Sequence, residues 1–177
     1  QVLLAQDRTL VRSAGALRFL LLKPDDVPTY VDYGACDLGI CGRDVLDERG
    51  ADLYRLVDLG IGRCRMVVAG PTGHEPPADV PRVATKYPRT AAAHFAKRGV
   101  QAEIVYVQGS VELAPLTGLA DVIVDLVETG TTLAQNGLEV IEDVKPVSSA
   151  LVVNRVSYKY FSGPIRSLIP RFEAAVG

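Results

Sequence analysis

Cysteine and histidine are scarce in this chain of 177 residues, which contains three cysteines and two histidines. An odd number of cysteines, without a second cluster of cysteine or histidine, supplies neither a disulfide framework nor a zinc site. We therefore expect Cys36, Cys41 and Cys64 to be ordinary buried thiols. His74 falls in a polar loop and His94 on a predicted helix. Neither has a metal-ligand partner at a useful spacing, so both are expected to be structural.

Long apolar runs are also missing. The longest ones, such as Phe19–Leu22 and Met66–Ala69, are far below the roughly 18 residues that a membrane-spanning helix needs. No charged segment followed by an apolar one opens the sequence, so we expect no signal peptide and a cytoplasmic location. The formal net charge of −2 argues against a basic surface for nucleic acid. A local anion site needs only backbone amides and a few cations, and it stays compatible with this charge.

The composition is that of a globular protein, with 48% hydrophobic and 23% charged residues. A chain of this length forms one medium domain or two small lobes and buries a real core. Short apolar runs alternate with longer helical patterns along the whole chain. This alternation predicts an α/β fold with mostly parallel sheets.

A loop rich in proline and glycine, 72-TGHEPPADVP-81, marks a boundary between two lobes. We expect residues 1–70 and 150–177 to form lobe I and residues 71–149 to form lobe II. The chain would cross between the lobes near Val68–Pro71 and again near Ser148–Asn154. Ligands in such folds bind at the carboxyl ends of strands, so the cleft between the lobes is the expected site.

The stretch 121-DVIVDLVETGTTL-133 joins an apolar strand to the start of a helix. A glycine permits a tight or left-handed backbone, and free amides at a helix start favour an anion. Thr129, Thr131 and Thr132 supply three hydroxyls where a helix cap needs one. Asp125 interrupts the strand, and a buried carboxylate is costly unless it is used. The pattern fits a helix cap, and it also fits a phosphate site whose carboxylate binds sugar hydroxyls or a magnesium ion.

A second turn, 39-GICGRD-44, also ends a predicted strand and opens a helix. Its glycines let a ligand approach the backbone. A tight turn with Asp44 as the helix cap explains the same residues equally well. The residue types alone leave both interpretations open.

Five segments, taken together, resemble the ATP phosphoribosyltransferase family, which catalyses the first step of histidine biosynthesis. The segment 112-ELAPLTGLADVIVDLVETGTTL-133 is similar to the family signature. The other four segments are 23-KPDDVPTYVDYGACDLGICGRDVL-46, 58-DLGIGRCRMVVAGP-71, 82-RVATKYP-88 and 109-GSVELAP-115. They occur in the family's order and cover most of the chain. Nothing that follows them resembles the regulatory domain of the family's long form, so the resemblance is to the short form.

The resemblance implies a two-lobed fold similar to that of type II periplasmic binding proteins. It also implies a reaction, in which the phosphoribosyl group of phosphoribosyl pyrophosphate is transferred to N1 of ATP and pyrophosphate is released. A non-catalytic two-lobed module that binds a small ligand is the alternative, because fold alone does not separate the two. The Thr-Gly-Thr-Thr loop after an acidic strand favours the enzyme.

The resemblance further assigns residues to the site. The residues expected to bind phosphoribosyl pyrophosphate are Asp125, Thr129, Gly130, Thr131, Thr132 and Leu133. Many phosphoribosyltransferases place two adjacent acids before this loop, but here the second is Leu126, so the acid pair is incomplete.

Other residues are assigned in the same way to catalysis and to the nucleotide. The catalytic candidates are Lys23, Arg8 and Asp125, and a solvated surface charge is the alternative for the two basic residues. The nucleotide-binding candidates are Gly42, Asp44 and Thr85.

The expected cofactor is Mg²⁺, with no ligand directly assigned and Asp125 as a candidate. The short form implies a partner, a histidyl-tRNA-synthetase-like regulatory subunit, and therefore a hetero-oligomer. The family begins with a strand and a Pro-Lys-Gly-Arg loop that contributes to the active site. The sequence from Gln1 begins near the position of the family's second strand and contains no such loop, so either that segment is missing from the sequence or the family's activity is in doubt.

Overall fold

A computed structural model describes residues 9–73 and 79–176, which form three β-sheets and seven α-helices. The strands are β1 (Val11–Ala14), β2 (Leu17–Leu20), β3 (Leu38–Gly42), β4 (Tyr54–Asp58), β5 (Cys64–Pro71), β6 (Arg82–Thr85), β7 (Glu103–Tyr106), β8 (Val122–Val127), β9 (Leu138–Val147) and β10 (Ser149–Val153). The helices are α1 (Val27–Asp32), α2 (Arg43–Arg49), α3 (Pro88–Lys97), α4 (Leu113–Leu116), α5 (Thr131–Gln135), α6 (Arg155–Tyr160) and α7 (Ser162–Val176). Arg8 and His74 lie outside the described residues.

A three-stranded sheet with the order β3-β10-β4 combines two strands from the first part of the chain with β10 from its last part, and β10 runs antiparallel to both neighbours. One face packs against α1 and α2 through a cluster that includes Val31, Leu46 and Val152. Leu151 points to the other face, where it packs with residues of β4 and α7. Burial on both faces explains why β10 is a continuous apolar run. β1 and β2 form a separate antiparallel hairpin.

The second sheet has five strands in the order β7-β6-β8-β5-β9. β7, β6 and β8 are parallel, and β5 is antiparallel to both β8 and β9. Four of the five strands therefore run in one direction, which confirms the α/β class with mostly parallel sheets. Alternate residues of β8 enter different core clusters, with Ile123 in one and Val122 and Val124 in the other. Both faces of this sheet are thus covered.

The chain passes between the two larger sheets twice. β5 hydrogen bonds within the five-stranded sheet, so the first passage lies between Asp58 and Cys64, earlier than the expected Val68–Pro71. The reason is that the apolar residues of β5 form a central strand of the second sheet rather than the last strand of the first. The return passage at Ser148 falls within the expected segment.

Two short elements were not predicted from the sequence. β1 is a mostly exposed strand that, among the described residues, pairs with β2 alone, so it has no apolar pattern. α6 does carry a local signal, because the Asn154 side chain at its N-cap accepts hydrogen bonds from the amides of Val156 and Ser157. Within the described ranges, none of the helices has the length and hydropathy of a membrane-spanning segment.

The three thiols are free, as expected, although only Cys41 is fully buried while Cys36 and Cys64 are partly buried. Burial raises the pKa of the Cys41 thiol to about 11, so it is protonated at neutral pH. His94 hydrogen bonds Glu142 at 3.0 Å and packs edge-on against Phe95, which fits its expected structural role.

Candidate active site

The turn after β8 is built around Gly130, which has φ 81° and ψ 0° and forms the N-cap of α5. This left-handed conformation is strained for residues with a Cβ, so glycine suits the position. Leu133 is 5% exposed and anchors the start of α5 in the core. Thr129, Thr131 and Thr132 are exposed. The core thus holds the turn in place while its hydroxyls face outward.

Hydrogen bonds within the turn occupy only some of its donor groups. The hydroxyls of Thr129 and Thr131 lie 3.0 Å apart, and the Thr131 amide donates to Thr129 Oγ1 over 3.4 Å. Within the described part of the chain, the amides of Thr132 and Leu133 have no hydrogen-bond acceptor. The turn therefore offers backbone and hydroxyl donors that a ligand with several oxygen atoms can accept.

These donors border a cavity of about 280 Å³. Its lining residues are Glu112, Asp125, Leu126, Val127, Glu128, Thr129, Gly130, Thr131, Thr132 and Leu133. All of the residues that the sequence assigned to phosphoribosyl pyrophosphate thus border one cavity. Glu112 was not assigned, although it opens the motif quoted for the family signature.

Asp125 is the half-buried carboxylate of this cavity. Its Oδ1 accepts a hydrogen bond from the Leu126 amide at 2.8 Å. Burial raises the pKa of Asp125, and the Glu112 carboxylate raises it further, whereas the Leu126 amide and Lys86 act in the opposite direction. The net pKa is raised, so holding this carboxylate ionised costs stability. Such a cost is typical of a functional position.

A divalent cation fits the chemistry of this cavity, because its lining includes the acidic residues Glu112, Asp125 and Glu128. No group of three or more metal-ligating side chains exists among the residues that the structure describes. Magnesium ions are usually held by one or two carboxylates together with substrate phosphates, so the donor set agrees with a metal that arrives with its substrate.

The second turn, at the end of β3, has different surroundings. Asp44 is 5% exposed, and its Oδ2 accepts a hydrogen bond from the Tyr87 hydroxyl at 2.8 Å. A Cβ on Gly42 would overlap Asp44 Oδ1, so this glycine makes room for a carboxylate of the protein itself. Burial and the Asp44 carboxylate raise the pKa of Tyr87 far above its usual range, so its hydroxyl stays a donor.

Thr85 is completely buried. Its hydroxyl donates to the Val124 carbonyl at 2.6 Å and accepts from the Tyr87 amide at 2.9 Å. All the hydrogen bonds of this side chain are therefore made inside the protein. Gly42, Asp44 and Thr85 come together around Tyr87, a residue to which the sequence assigned no role.

Lys23 is exposed and directly precedes the 3-10 turn Pro24–Asp26. Among the described residues, its side chain makes no hydrogen bond to either turn. The charge of the neighbouring Asp25 makes a small contribution to the raised pKa of Tyr87.

The α/β fold, with its two larger sheets, is that of the periplasmic-binding-protein-like class. The fold is shared with a solved substrate-binding protein of an amino acid ABC transporter, at a TM-score of 0.57 and 13% identity over 87% of this chain and 72% of that one. Identity this low shows the fold alone.

Other similarities are closer. A solved ATP phosphoribosyl transferase (HisG:HisZ) complex from Thermotoga maritima matches with a TM-score of 0.87 and 35% identity, over 97% of this chain and 85% of that one. An ATP phosphoribosyltransferase from Sorangium cellulosum is 63% identical over 171 residues, which cover 96% of this chain and 81% of that protein. The family model HisG, ATP phosphoribosyltransferase, matches residues 23–174. The chain belongs to the ATP phosphoribosyltransferase family.

Proposed function

We infer that the chain transfers the phosphoribosyl group of phosphoribosyl pyrophosphate to N1 of ATP, the first step of histidine biosynthesis. The observation that carries this conclusion is the cavity at the end of β8, where Asp125 and the Thr129–Leu133 loop meet in a member of this family. A non-catalytic binding module is not favoured, because its support is a similarity of fold alone.

The reaction exchanges one bond at C1 of the ribose. N1 of adenine forms a bond to C1 while the bond from C1 to the pyrophosphate oxygen breaks, and the electron pair of that bond leaves with pyrophosphate. N1 already carries a lone pair, so the step needs no strong general base. Alignment of the two substrates and stabilisation of the departing charge supply most of the catalysis.

The loop Thr129–Leu133 is suited to the 5-phosphate. The hydroxyls of Thr129, Thr131 and Thr132 are exposed beside the cavity, and the amides of Thr132 and Leu133 are available as donors. Leu133 contributes through its backbone, since its side chain is buried in the core. The buried Leu133 side chain therefore anchors the loop, and the hydroxyl and amide donors bind the phosphate.

Asp125 is suited to the ribose hydroxyls of the same substrate. Its Oδ1 is held by the Leu126 amide, which leaves Oδ2 to accept from the sugar. Glu112 stands in the same cavity and takes the place of the second acid that the sequence lacks at Leu126. Lys23, which is exposed, and Arg8 are proposed as the cations that stabilise pyrophosphate as it departs, a role suited to basic side chains that can hydrogen bond its oxygens.

Gly42, Asp44 and Thr85 are proposed to serve the nucleotide indirectly. Their side chains and the space around them are occupied by contacts with each other and with Tyr87. They therefore shape the backbone that borders the nucleotide rather than binding it through their side chains.

The family needs a divalent metal ion. We propose Mg²⁺, with Asp125 and Glu112 as the residues that would hold it together with the pyrophosphate oxygens. When bound, the ion neutralises charge on the leaving group.

The lobes are proposed to be residues 1–70 with 150–177 and residues 71–149, with the active cleft between them. The three-stranded and five-stranded sheets support this division, apart from β5, which pairs in the second sheet. We also propose a histidyl-tRNA-synthetase-like regulatory subunit in a hetero-oligomer, supported by the similarity to the complex from Thermotoga maritima. A cytoplasmic location fits a biosynthetic enzyme and stays a prediction.

The test is a direct assay of the full-length protein with its regulatory partner, ATP, phosphoribosyl pyrophosphate and Mg²⁺. The ultraviolet absorbance should rise as phosphoribosyl-ATP forms, and addition of pyrophosphatase should increase the yield by removing pyrophosphate. The absence of product under these conditions, together with tight binding of an unrelated small solute, would contradict the proposal.

A further inference from the structure

Three acidic residues on α2 connect the two larger sheets. Asp44, Asp47 and Glu48 lie three and four positions apart, so they share one face of this helix. The helix itself packs on the three-stranded sheet, where Leu46 enters the core. Each of the three carboxylates, called here the α2 clamp, contacts a residue that belongs to the five-stranded sheet or to its helix α3.

Glu48 caps α3 from outside that helix. Its carboxylate accepts from the amides of Arg89 at 2.8 Å and Thr90 at 3.0 Å, and from the Thr90 hydroxyl at 2.9 Å. The residue at the N-cap of α3, Tyr87, makes no capping bond with its side chain. The free amides at the start of a helix need an acceptor, and here a helix on the other sheet supplies it.

Asp47 makes the second connection, accepting from Lys145 of β9 at 2.7 Å and from Arg55 of β4 at 2.6 Å. Asp44 makes the third, with the Tyr87 hydroxyl. Tyr87 is 2% exposed and packs in the core of the five-stranded sheet. Asp44 is 5% exposed, so its hydrogen bond with Tyr87 joins two buried residues and leaves little freedom for either group.

Hydrogen bonds also connect Tyr87 to the strand that carries the candidate active site. Its amide donates to the Thr85 hydroxyl, which donates to the carbonyl of Val124, the residue before Asp125. Lys86 lies over the Tyr87 ring, 4.9 Å from its centroid, and its charge acts on Asp125. One chain of hydrogen bonds thus runs from α2 to the strand that carries the cavity carboxylate.

We propose that Tyr87 is a positioning residue, which together with the α2 clamp fixes the orientation of the two sheets and so the alignment of the two substrates. The proposal rests on the proposed function, because it assumes a nucleotide and a phosphoribosyl group that meet across the cleft. The Tyr87 side chain is not required to touch either substrate. Small errors in alignment reduce turnover strongly even when each substrate still binds.

The test separates turnover from binding in the full-length enzyme with its regulatory partner. Tyr87→Phe should lower kcat at least about tenfold, because it removes one hydroxyl and little else. The Kd of phosphoribosyl pyrophosphate alone, measured by calorimetry, should stay within about twofold, since the loop Thr129–Leu133 is untouched. Tyr106→Phe, at an exposed tyrosine on the adjacent strand, is the matched control and should change neither value.

A second variant, Glu48→Ala, breaks the clamp without altering Tyr87 and should give the same separation of kcat from Kd. If Tyr87→Phe does not fold, the kcat and Kd of Glu48→Ala test the proposal instead. Unchanged kcat in both variants overturns the inference, and so does an equal loss of kcat and of phosphoribosyl pyrophosphate binding. A wild-type enzyme without any turnover contradicts the proposed function itself, so the two failures are told apart.

Discussion

The turn after β8 and the turn after β3 have the same sequence form and opposite surroundings. In each, a strand is followed by a short helix whose N-cap residue is a glycine, Gly130 after β8 and Gly42 after β3. After β8 the threonines are exposed beside a cavity, whereas after β3 the polar residue Asp44 is buried against Tyr87. A strand–glycine–helix pattern therefore does not by itself indicate a ligand site. The element that packs over the helix start decides between a binding role and a structural one.

The largest effect on turnover is expected from Asp125→Asn in the exposed turn. Turnover should fall about 100-fold, because the neutral amide keeps one acceptor oxygen but loses the second one and the negative charge of the carboxylate. Stability should not fall: the pKa of Asp125 is raised, so the ionised carboxylate costs stability above the pKa of the unfolded chain, and asparagine removes that cost. Steady-state kinetics and thermal unfolding at neutral pH measure both effects.

The matched control is Asp143→Asn, at an exposed aspartate of β9 paired with Arg65. It should leave turnover unchanged. Loss of melting temperature in parallel with activity for Asp125→Asn would show instead that this residue is structural.

Asp44→Ala, in the buried turn, should lower the stability of the fold, unlike Asp125→Asn. Removing the acceptor leaves the buried Tyr87 hydroxyl without its partner, at a cost of about 2 kcal/mol in the free energy of unfolding. Chemical denaturation measures this loss. Combination with Gly42→Ala should cost less than the sum of the two single changes, because the overlap at Gly42 involves the Asp44 carboxylate. Strict additivity would contradict the contact between these residues.

Thr132→Ala should weaken phosphoribosyl pyrophosphate binding about tenfold, the effect of about 1.4 kcal/mol, by removing one exposed donor from the loop. The melting temperature should stay close to that of the wild type, since this side chain is exposed. Isothermal calorimetry provides the Kd. Thr117→Ala removes a threonine whose hydroxyl bonds its own helix, and it should leave binding intact. Equal weakening by both variants would argue against a specific role for the loop.

The smallest expected effect is a loss of stability at acidic pH that depends on Asp47. Burial raises the pKa of Asp47, but hydrogen bonds and charges from Lys145 and Arg55 outweigh it, and the net pKa lies below the ordinary value of 3.8. A depressed pKa stabilises the fold above the unfolded value, and this contribution disappears as the pH falls through the folded value. Partial exposure limits it to less than about 1 kcal/mol.

Wild type should therefore lose slightly more stability than Asp47→Asn between about pH 5 and pH 2, measured by urea unfolding. Identical pH dependence of the two proteins would show that Asp47 contributes no such interaction in solution.

Much of the fold follows from patterns along the chain. The apolar runs of β5, β8 and β10 predict buried strands because both of their faces are covered. The strand β1 shows no such run, because it is mostly exposed and pairs with β2 in a small hairpin. The first passage between sheets was placed too late, because local pattern identifies a strand without telling which sheet it joins.

The cavity residues follow from the sequence to a similar degree. Threonines around a glycine, with an unexplained Asp125 in the preceding strand, indicate an anion and sugar site from residue types alone. Glu112 and Tyr87 carried no comparable signal. Each acquires its role from a residue distant in the sequence: Glu112 from Asp125 across the cavity, and Tyr87 from Asp44 through a hydrogen bond.

The sequence by itself determined the class of fold, the family and the loop that carries the donors, because these depend on periodicity and on residues that are close together in the chain. Only the tertiary structure decided that Asp44 faces inward while Thr132 faces the cavity, and that α2 caps α3. Burial and hydrogen-bond partners arise from contacts between distant segments, such as Asp44 with Tyr87 and Glu48 with Thr90. A pattern of neighbouring residues contains no information about those contacts.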